Sequence, residues 1–292
     1  MGQGTSFPKE TAARAAWAWF RLLHPFPSAL VTGSSFLFAE LATGGRADPW
    51  VLARLVLSVA CSQGAIGAAN DVVDRDLDAA TKPWKPVARG VISRKAAAIL
   101  AGVLSLLCLA LSASLPLPTV LAALVGLGCG LAYDLKLKRS RWSWLPYGLA
   151  IPTLPVWAWA ATGKLSGRLA PAYPLGLLLG LAIHLANTLP DLEGDRGFGV
   201  GGFAHGLGRR RGLRLCWAAL GLAQCLTVAL APVIHYRGWA YPVGLGASVA
   251  LLLVAMVGYR VRPTSGTLQF NFGVIALASL ALAAGWLAGA VA

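Results

Sequence analysis

The chain has 292 residues, 57% of them hydrophobic and only 12% charged, with a mean hydropathy of +0.66. A soluble domain carries about 45–50% apolar residues, so this composition excludes one and places the chain in lipid. The net charge of +14 sits in short loops beside apolar stretches. Cytoplasmic bias of Lys and Arg and attraction to anionic lipid account for it there, which excludes nucleic acid as a partner.

In chain order, apolar stretches run over residues 17–42, 50–73, 96–115, 119–135, 144–162, 171–189, 213–234, 241–259 and 268–292. At about 20 residues per crossing they predict an all-α, polytopic membrane protein with about nine transmembrane helices in one bundle covering 1–292. Small residues within them suit close helix contact in lipid, and Pro152, Pro155 and Pro190 predict kinks or broken turns. The opening MGQGTS matches an acylation pattern, but beside nine spans one acyl chain adds nothing, and the following span is too long for a cleaved signal peptide. Cys61, Cys108, Cys129, Cys216 and Cys225 lack disulfide or zinc spacing and read as small buried hydrophobes. If the first helix begins in the cytoplasm, all but five of the 25 lysines and arginines fall on that side, the exceptions being Arg46, Arg54, Lys164, Arg168 and Arg237. That bias predicts an amino terminus and acid motifs facing the cytoplasm and a carboxy terminus outside.

Of eleven acids, eight lie at the cytoplasmic ends of predicted spans: Asp71, Asp74, Asp76, Asp78, Asp134, Asp191, Glu193 and Asp195. On a helix, Asn70, Asp74 and Asp78 share a face with Asp71 beside them, while Asp76 is turned away. Like charges at that spacing repel, so the arrangement asks for a cation. The pattern then repeats, since Asn187, Asp191 and Asp195 stand as Asn70, Asp74 and Asp78 do, with Glu193 in the place of Asp76. The copies end the second and sixth spans, which predicts two four-helix halves, roughly 15–140 and 141–262, plus a ninth helix. Two facing carboxylate clusters make a site for a hard divalent cation such as Mg²⁺, which binds oxygen and bridges carboxylates to phosphates. Basic residues follow each acid group: Lys82, Lys85 and Arg89 after the first, Lys136, Lys138 and Arg139 after Tyr133 and Asp134, and Arg196 after the second. Together they favour a diphosphate, whose charge on leaving they would neutralise.

Several stretches carry a specific likeness: NDVVDRDLD, KPWKPVARGVIS just after it, YDLKLKR, DLEGDRGFG with the downstream GLG, and RLLHPFPSAL at the first span. On these the chain resembles the UbiA superfamily of intramembrane prenyltransferases. The resemblance implies an isoprenyl diphosphate donor, Mg²⁺, a tunnel for the prenyl chain open to lipid, and a lipophilic, often aromatic acceptor that attacks the allylic cation, as in quinone and related prenyl-lipid biosynthesis. It implies catalytic, metal-binding roles for Asp71, Asp74, Asp78, Asp191 and Asp195, with Asn70 and Asn187 completing the metal sets. It implies diphosphate binding by Lys82, Lys85, Arg89, Tyr133, Lys136 and Arg139. Arg21, His24 and His184 are candidates for contact with the acceptor, and Tyr133, Tyr147, Trp157 and Trp159 could line the cation's path. VGGFAHGLG departs from the family's Thr-containing run; its glycines suit a loop covering the site, and His205 within it has no assigned role.

The same ionisation would serve a terpene cyclase or a phosphoribose prenyltransferase. A divalent-cation transporter is a reading of another class, but the acids cluster at one membrane face and no ladder of them crosses the bilayer. A CDP-alcohol phosphotransferase would need a D-G-x-x-A-R run that the sequence lacks.

Overall fold

The computed structural model describes residues 12–196 and 201–291, and within them helices account for all the regular structure. A short helix α1 (Ala12–Leu22) precedes α2 (Pro25–Thr43) and α3 (Pro49–Val73), which runs into a brief α4 (Arg75–Thr81). Next come α5 (Arg94–Ala113), α6 (Leu117–Leu135), α7 (Leu145–Ala161) and α8 (Ala172–Thr188), with a short α9 (Leu192–Arg196) after it. The chain ends with α10 (Phe203–Ala229), α11 (Ala231–Ile234), α12 (Ala240–Val261) and α13 (Ser265–Ala290). Starts follow local chemistry: Asp48 accepts from the backbone N–H groups of Trp50 and Val51 ahead of Pro49, while Ser93 and Thr264 cap α5 and α13.

Seven spans are long and apolar enough to cross a membrane, which makes this an integral, multi-pass membrane protein. Two of the nine expected crossings fall short of that measure. The α7 helix has 17 residues, and α2, although 19 long, is diluted by Ser28, Thr32, Ser34, Ser35, Glu40 and Thr43. Pro152 and Pro155 lie inside α7 without ending it, and Pro190 falls in the turn after α8.

Six helices, α2, α3, α6, α7, α8 and α13, contribute most of the wall of a central cavity, and α5, α10 and α12 pack outside them. The outer helices show lipid their Leu, Ile and Val side chains, such as Leu106, Leu222 and Leu253. Small residues draw the ring tight. A side-chain carbon on Gly180 would stand 2.4 Å from the Tyr147 carbonyl oxygen, and one on Gly176 would stand 2.5 Å from Pro152. The α7 and α8 backbones therefore meet across the pair Gly176 and Gly180, one helical turn apart. Gly244 and Gly285 do the same for α12 and α13.

Candidate active site

The cavity has a volume of about 580 Å³ and two unlike ends. One is walled by apolar groups including Phe38, Val59, Trp157, Trp286 and Leu287. At the other, both acid motifs emerge. The first begins in the last turn of α3 and continues through α4. Asp74 caps both helices with a non-helical backbone (φ −92°, ψ 9°), yet Asp74 N–H still bonds Asn70 C=O at 2.9 Å and Asp78 N–H bonds Asp74 C=O at 2.7 Å. The four-residue ladder survives the break, so Asn70, Asp74 and Asp78 all reach the cavity, as the spacing predicts. Asp76 points out to solvent beside Arg75. The second motif leaves α8 at Thr188 and ends in α9, and Asp191 in the turn between them and Asp195 in α9 also line the cavity.

Side chains lock the two motifs to each other. Asn70 Nδ2 donates to Asp74 at 3.1 Å and to Asp134, from the end of α6, at 2.9 Å; its Oδ1 accepts from Lys85 at 3.2 Å. Lys85 Nζ also lies 2.8 Å from both Asp71 and Asp78. Burial opposes its charged form, but those two carboxylates outweigh burial and raise its pKa above the usual lysine value. For Asp78, burial raises the pKa and the opposing pull of Lys85 does not cancel it. Lys138 Nζ lies 2.6 Å from Asp74, and Lys82 crosses from the first motif to Asp191 of the second, also at 2.6 Å.

His24 enters from the turn between α1 and α2, where its backbone takes a left-handed conformation (φ 49°, ψ 66°) that costs a non-glycine residue strain. Gly67 permits the approach, because a side-chain carbon there would stand 3.1 Å from Leu22 C=O and 3.3 Å from the His24 ring. His24 Nε2 and Asp71 Oδ1 meet at 2.9 Å. On the far side, Tyr133 and Tyr147 pack edge to face at 5.3 Å and both line the cavity, and Asn187 Nδ2 donates to the Tyr147 hydroxyl at 3.1 Å.

Three ammonium groups thus stand among six carboxylates: Asp71, Asp74, Asp78, Asp134, Asp191 and Asp195. The excess of negative charge demands further cations. Buried Oδ2 atoms of Asp71 and Asp134 have no hydrogen-bond partner among the described residues. No three acids, histidines or cysteines among the described residues converge into a protein-only metal cage. These donors fit Mg²⁺, which keeps waters and takes one or two carboxylates together with phosphate oxygens.

The sequence profile of the UbiA prenyltransferase family matches residues 29–274. The chain belongs to that family. This UbiA-family chain is 27% identical over 263 residues to a digeranylgeranylglyceryl phosphate synthase from Natronomonas pharaonis, covering 88% of this chain and 92% of that protein. It is 30% identical over 226 residues to a bacteriochlorophyll synthase 33 kDa chain from Cereibacter sphaeroides, covering 74% and 72%. The solved structure of a UbiA homolog from Archaeoglobus fulgidus bound to GPP and Mg²⁺ shares its fold, with a TM-score of 0.72 at 19% identity over 93% of this chain and 99% of that one.

Not every candidate of this UbiA chain lies on the cavity. Asn70, Asp74, Asp78, Lys82, Lys85, Tyr133, Asn187, Asp191 and Asp195 line it, and Asp71 stands just behind, on His24 and Lys85. Arg89, Lys136 and Arg139 are exposed and off its wall. The helix α6 ends at Leu135, and a 3-10 turn over Leu137–Arg139 brings Lys138 inward between Lys136 and Arg139. Among the acceptor candidates His24 lines the cavity, Arg21 does not, and His184 is buried behind the tyrosines with Nε2 on the Ser143 hydroxyl at 3.2 Å. Trp157 lines the cavity, whereas Trp159 is buried off it in the core. Asp134 and Lys138 are the site groups whose contacts the sequence conceals. The Arg196 side chain and residues 197–200 of the glycine-rich stretch lie outside the described residues.

Proposed function

We propose that the protein moves an isoprenyl group from its diphosphate to a lipophilic acceptor, with Mg²⁺ as cofactor. The observation that carries this reading is that the carboxylate-and-lysine cluster opens directly into an apolar cavity, the shape of a site for a molecule with a charged head and a hydrocarbon tail. Asn70, Asp71, Asp74 and Asp78 would hold metal on one side, and Asn187, Asp191 and Asp195 on the other. Bound there, Mg²⁺ would neutralise charge on the diphosphate as it leaves. Lys82, Lys85 and Lys138 already point their ammonium groups into this space and would turn from carboxylate to phosphate oxygens. Tyr133 and Tyr147 line the cavity and would stabilise the allylic carbon as it becomes positive, since aromatic rings attract such charge. Apolar walls further in exclude water from that carbon, so the acceptor attacks it and then releases a proton.

The cavity also sets the donor's length. Below the acids its wall follows α3 from Val59 to Asn70, about 16 Å at 1.5 Å per residue. An extended chain advances about 3.3–3.6 Å per three bonds, so an isoprene unit of four bonds spans roughly 4.5–5 Å and the cavity holds about three to four units. A geranylgeranyl diphosphate fits that length. The excess of Lys and Arg near the motifs supports a cytoplasmic site and amino terminus.

The test is turnover by purified protein in lipid with Mg²⁺ and labelled donors of two to eight isoprene units, alone and with phenolic, quinone-precursor, chlorin and phosphoglycerol-lipid acceptors. Label entering a new lipid only with acceptor, and best with the four-unit donor, is the expected result. Conversion without acceptor would make the protein a cyclase or hydrolase, and absence of conversion with every pair would sink the transferase reading.

A further inference from the structure

His205 stands on the cavity wall in the first turn of α10. Only 7% of its side chain is exposed, and neither ring nitrogen has a hydrogen-bond partner among the described residues. Buried polar atoms are normally paired, so two unpaired nitrogens in one ring need a reason. Its Nδ1 faces Gly202, 3.6 Å from where a side-chain carbon on that glycine would stand. Its Nε2 faces Asp195 Oδ2 at 3.4 Å, an approach without hydrogen-bond geometry.

The turn that presents this ring is firmly built. Phe203 N–H donates to the Ser143 hydroxyl at 3.1 Å, the same hydroxyl that meets His184, and Ala204 is fully buried. Any side chain at Gly202 would collide with the Lys138 carbonyl oxygen, 2.6 Å from its first carbon. Close contact at Gly202 therefore sets His205 beside the segment that carries Lys138. Gly208 (φ 72°, ψ 167°) then breaks the helix and frees the turn to follow the site instead of the long axis of α10.

We propose that His205 binds the donor's diphosphate through a hydrogen bond from Nε2–H to a phosphate oxygen next to Asp195, an assignment that rests on the donor class proposed above. A neutral imidazole with its proton on Nε2 suffices, and no change of protonation is involved. The alternative partner for a ring nitrogen is the metal, but Mg²⁺ takes oxygen ligands and imidazole suits other metals. A phosphate oxygen accepts charge-assisted hydrogen bonds and is the group expected at this end of the cavity.

The experiment is equilibrium binding of labelled inorganic pyrophosphate, and of a non-ionising isoprenyl thiolodiphosphate, to protein in nanodiscs at saturating Mg²⁺. Wild type is compared with His205→Ala and His205→Gln, the glutamine keeping an N–H near the position of Nε2. His205→Ala should weaken both ligands about 10- to 100-fold, and His205→Gln should recover most of that loss. Equal binding by wild type and both variants overturns the assignment alone. With Mn²⁺ in place of Mg²⁺, imidazole nitrogen coupling in pulsed EPR that disappears in the variants would also overturn it, by making His205 a metal ligand. If wild type itself binds neither ligand, the donor reading fails first.

Discussion

Single side chains at the head of the cavity divide into those that carry charge into it and those that only neighbour it. Asp74→Asn and Asp191→Asn keep the shape and hydrogen-bonding capacity of the residues while removing their charge, so the bundle should fold and prenyl transfer should fall at least about a hundredfold, measured as kcat/KM with the donor. Lys138 offers a sharper contrast with its neighbour. Lys138→Ala should reduce kcat/KM by about tenfold or more, whereas Lys136→Ala, exposed one residue past α6, should leave it near wild type. Equal losses from both would mean that general positive charge, not the 2.6 Å pairing to Asp74, is what the donor feels. The acid face itself was legible, because a period of four places Asn70, Asp74 and Asp78 together whatever the rest of the chain does, and Asp76 away from them. Asp134 and Lys138 were not, since each meets the first motif across 64 residues of chain. Where α6 stops, and which of three adjacent basic residues its last turn brings inward, is decided by packing that no local pattern encodes.

Helices meet here through backbone, and that contact is a mechanical support for the site. Gly180→Ala would drive a methyl group against the Tyr147 carbonyl, forcing α7 and α8 apart at a cost of about 1–3 kcal/mol. The expected outcome is a lower thermal midpoint together with a raised KM, because Tyr147 and its hydrogen-bond partner Asn187 both ride on that contact. A fall in stability with unchanged KM would show that the tyrosines are held independently. At the opposite end, Trp157 and Trp286 close the apolar wall. Trp157→Ala should open room for longer donors, shifting the ratio of kcat/KM for five- and six-unit over four-unit chains upward, and an unchanged ratio would place the limit elsewhere. The elements were read from hydrophobic runs to within a few residues in most cases. The spacing of the first motif already implied helix through α4, whereas the short α9 was hidden, because five mostly polar residues after a long apolar run look the same whether they coil or turn. The two crossings that fall short of the apolar criterion show the other limit, since helices facing a cavity keep serines, threonines and prolines that lipid-facing helices discard.

For the molecule as a whole, the arrangement of six helices around a cavity with three outside it separates two solvents, lipid without and a private apolar space within. The lysines at the mouth have a thermodynamic consequence. Each is already a counter-ion to a carboxylate, so a bare magnesium ion arriving alone would compete with ammonium groups for the same oxygens. A diphosphate arriving alone would draw the lysines off and leave the acids bare. Together the two newcomers would exchange partners with the residents, metal beside acid and lysine beside phosphate. Linkage then requires each to tighten the other by the same factor. Mg²⁺ titrated into the protein by itself should bind weakly, pyrophosphate should tighten it at least about tenfold, and chelation should halt turnover while leaving the fold's melting point within a few degrees. Metal affinity indifferent to pyrophosphate would contradict the exchange. An enzyme of this kind would rest with its lysines held by its own acids, a partial neutralisation that the whole substrate complex completes.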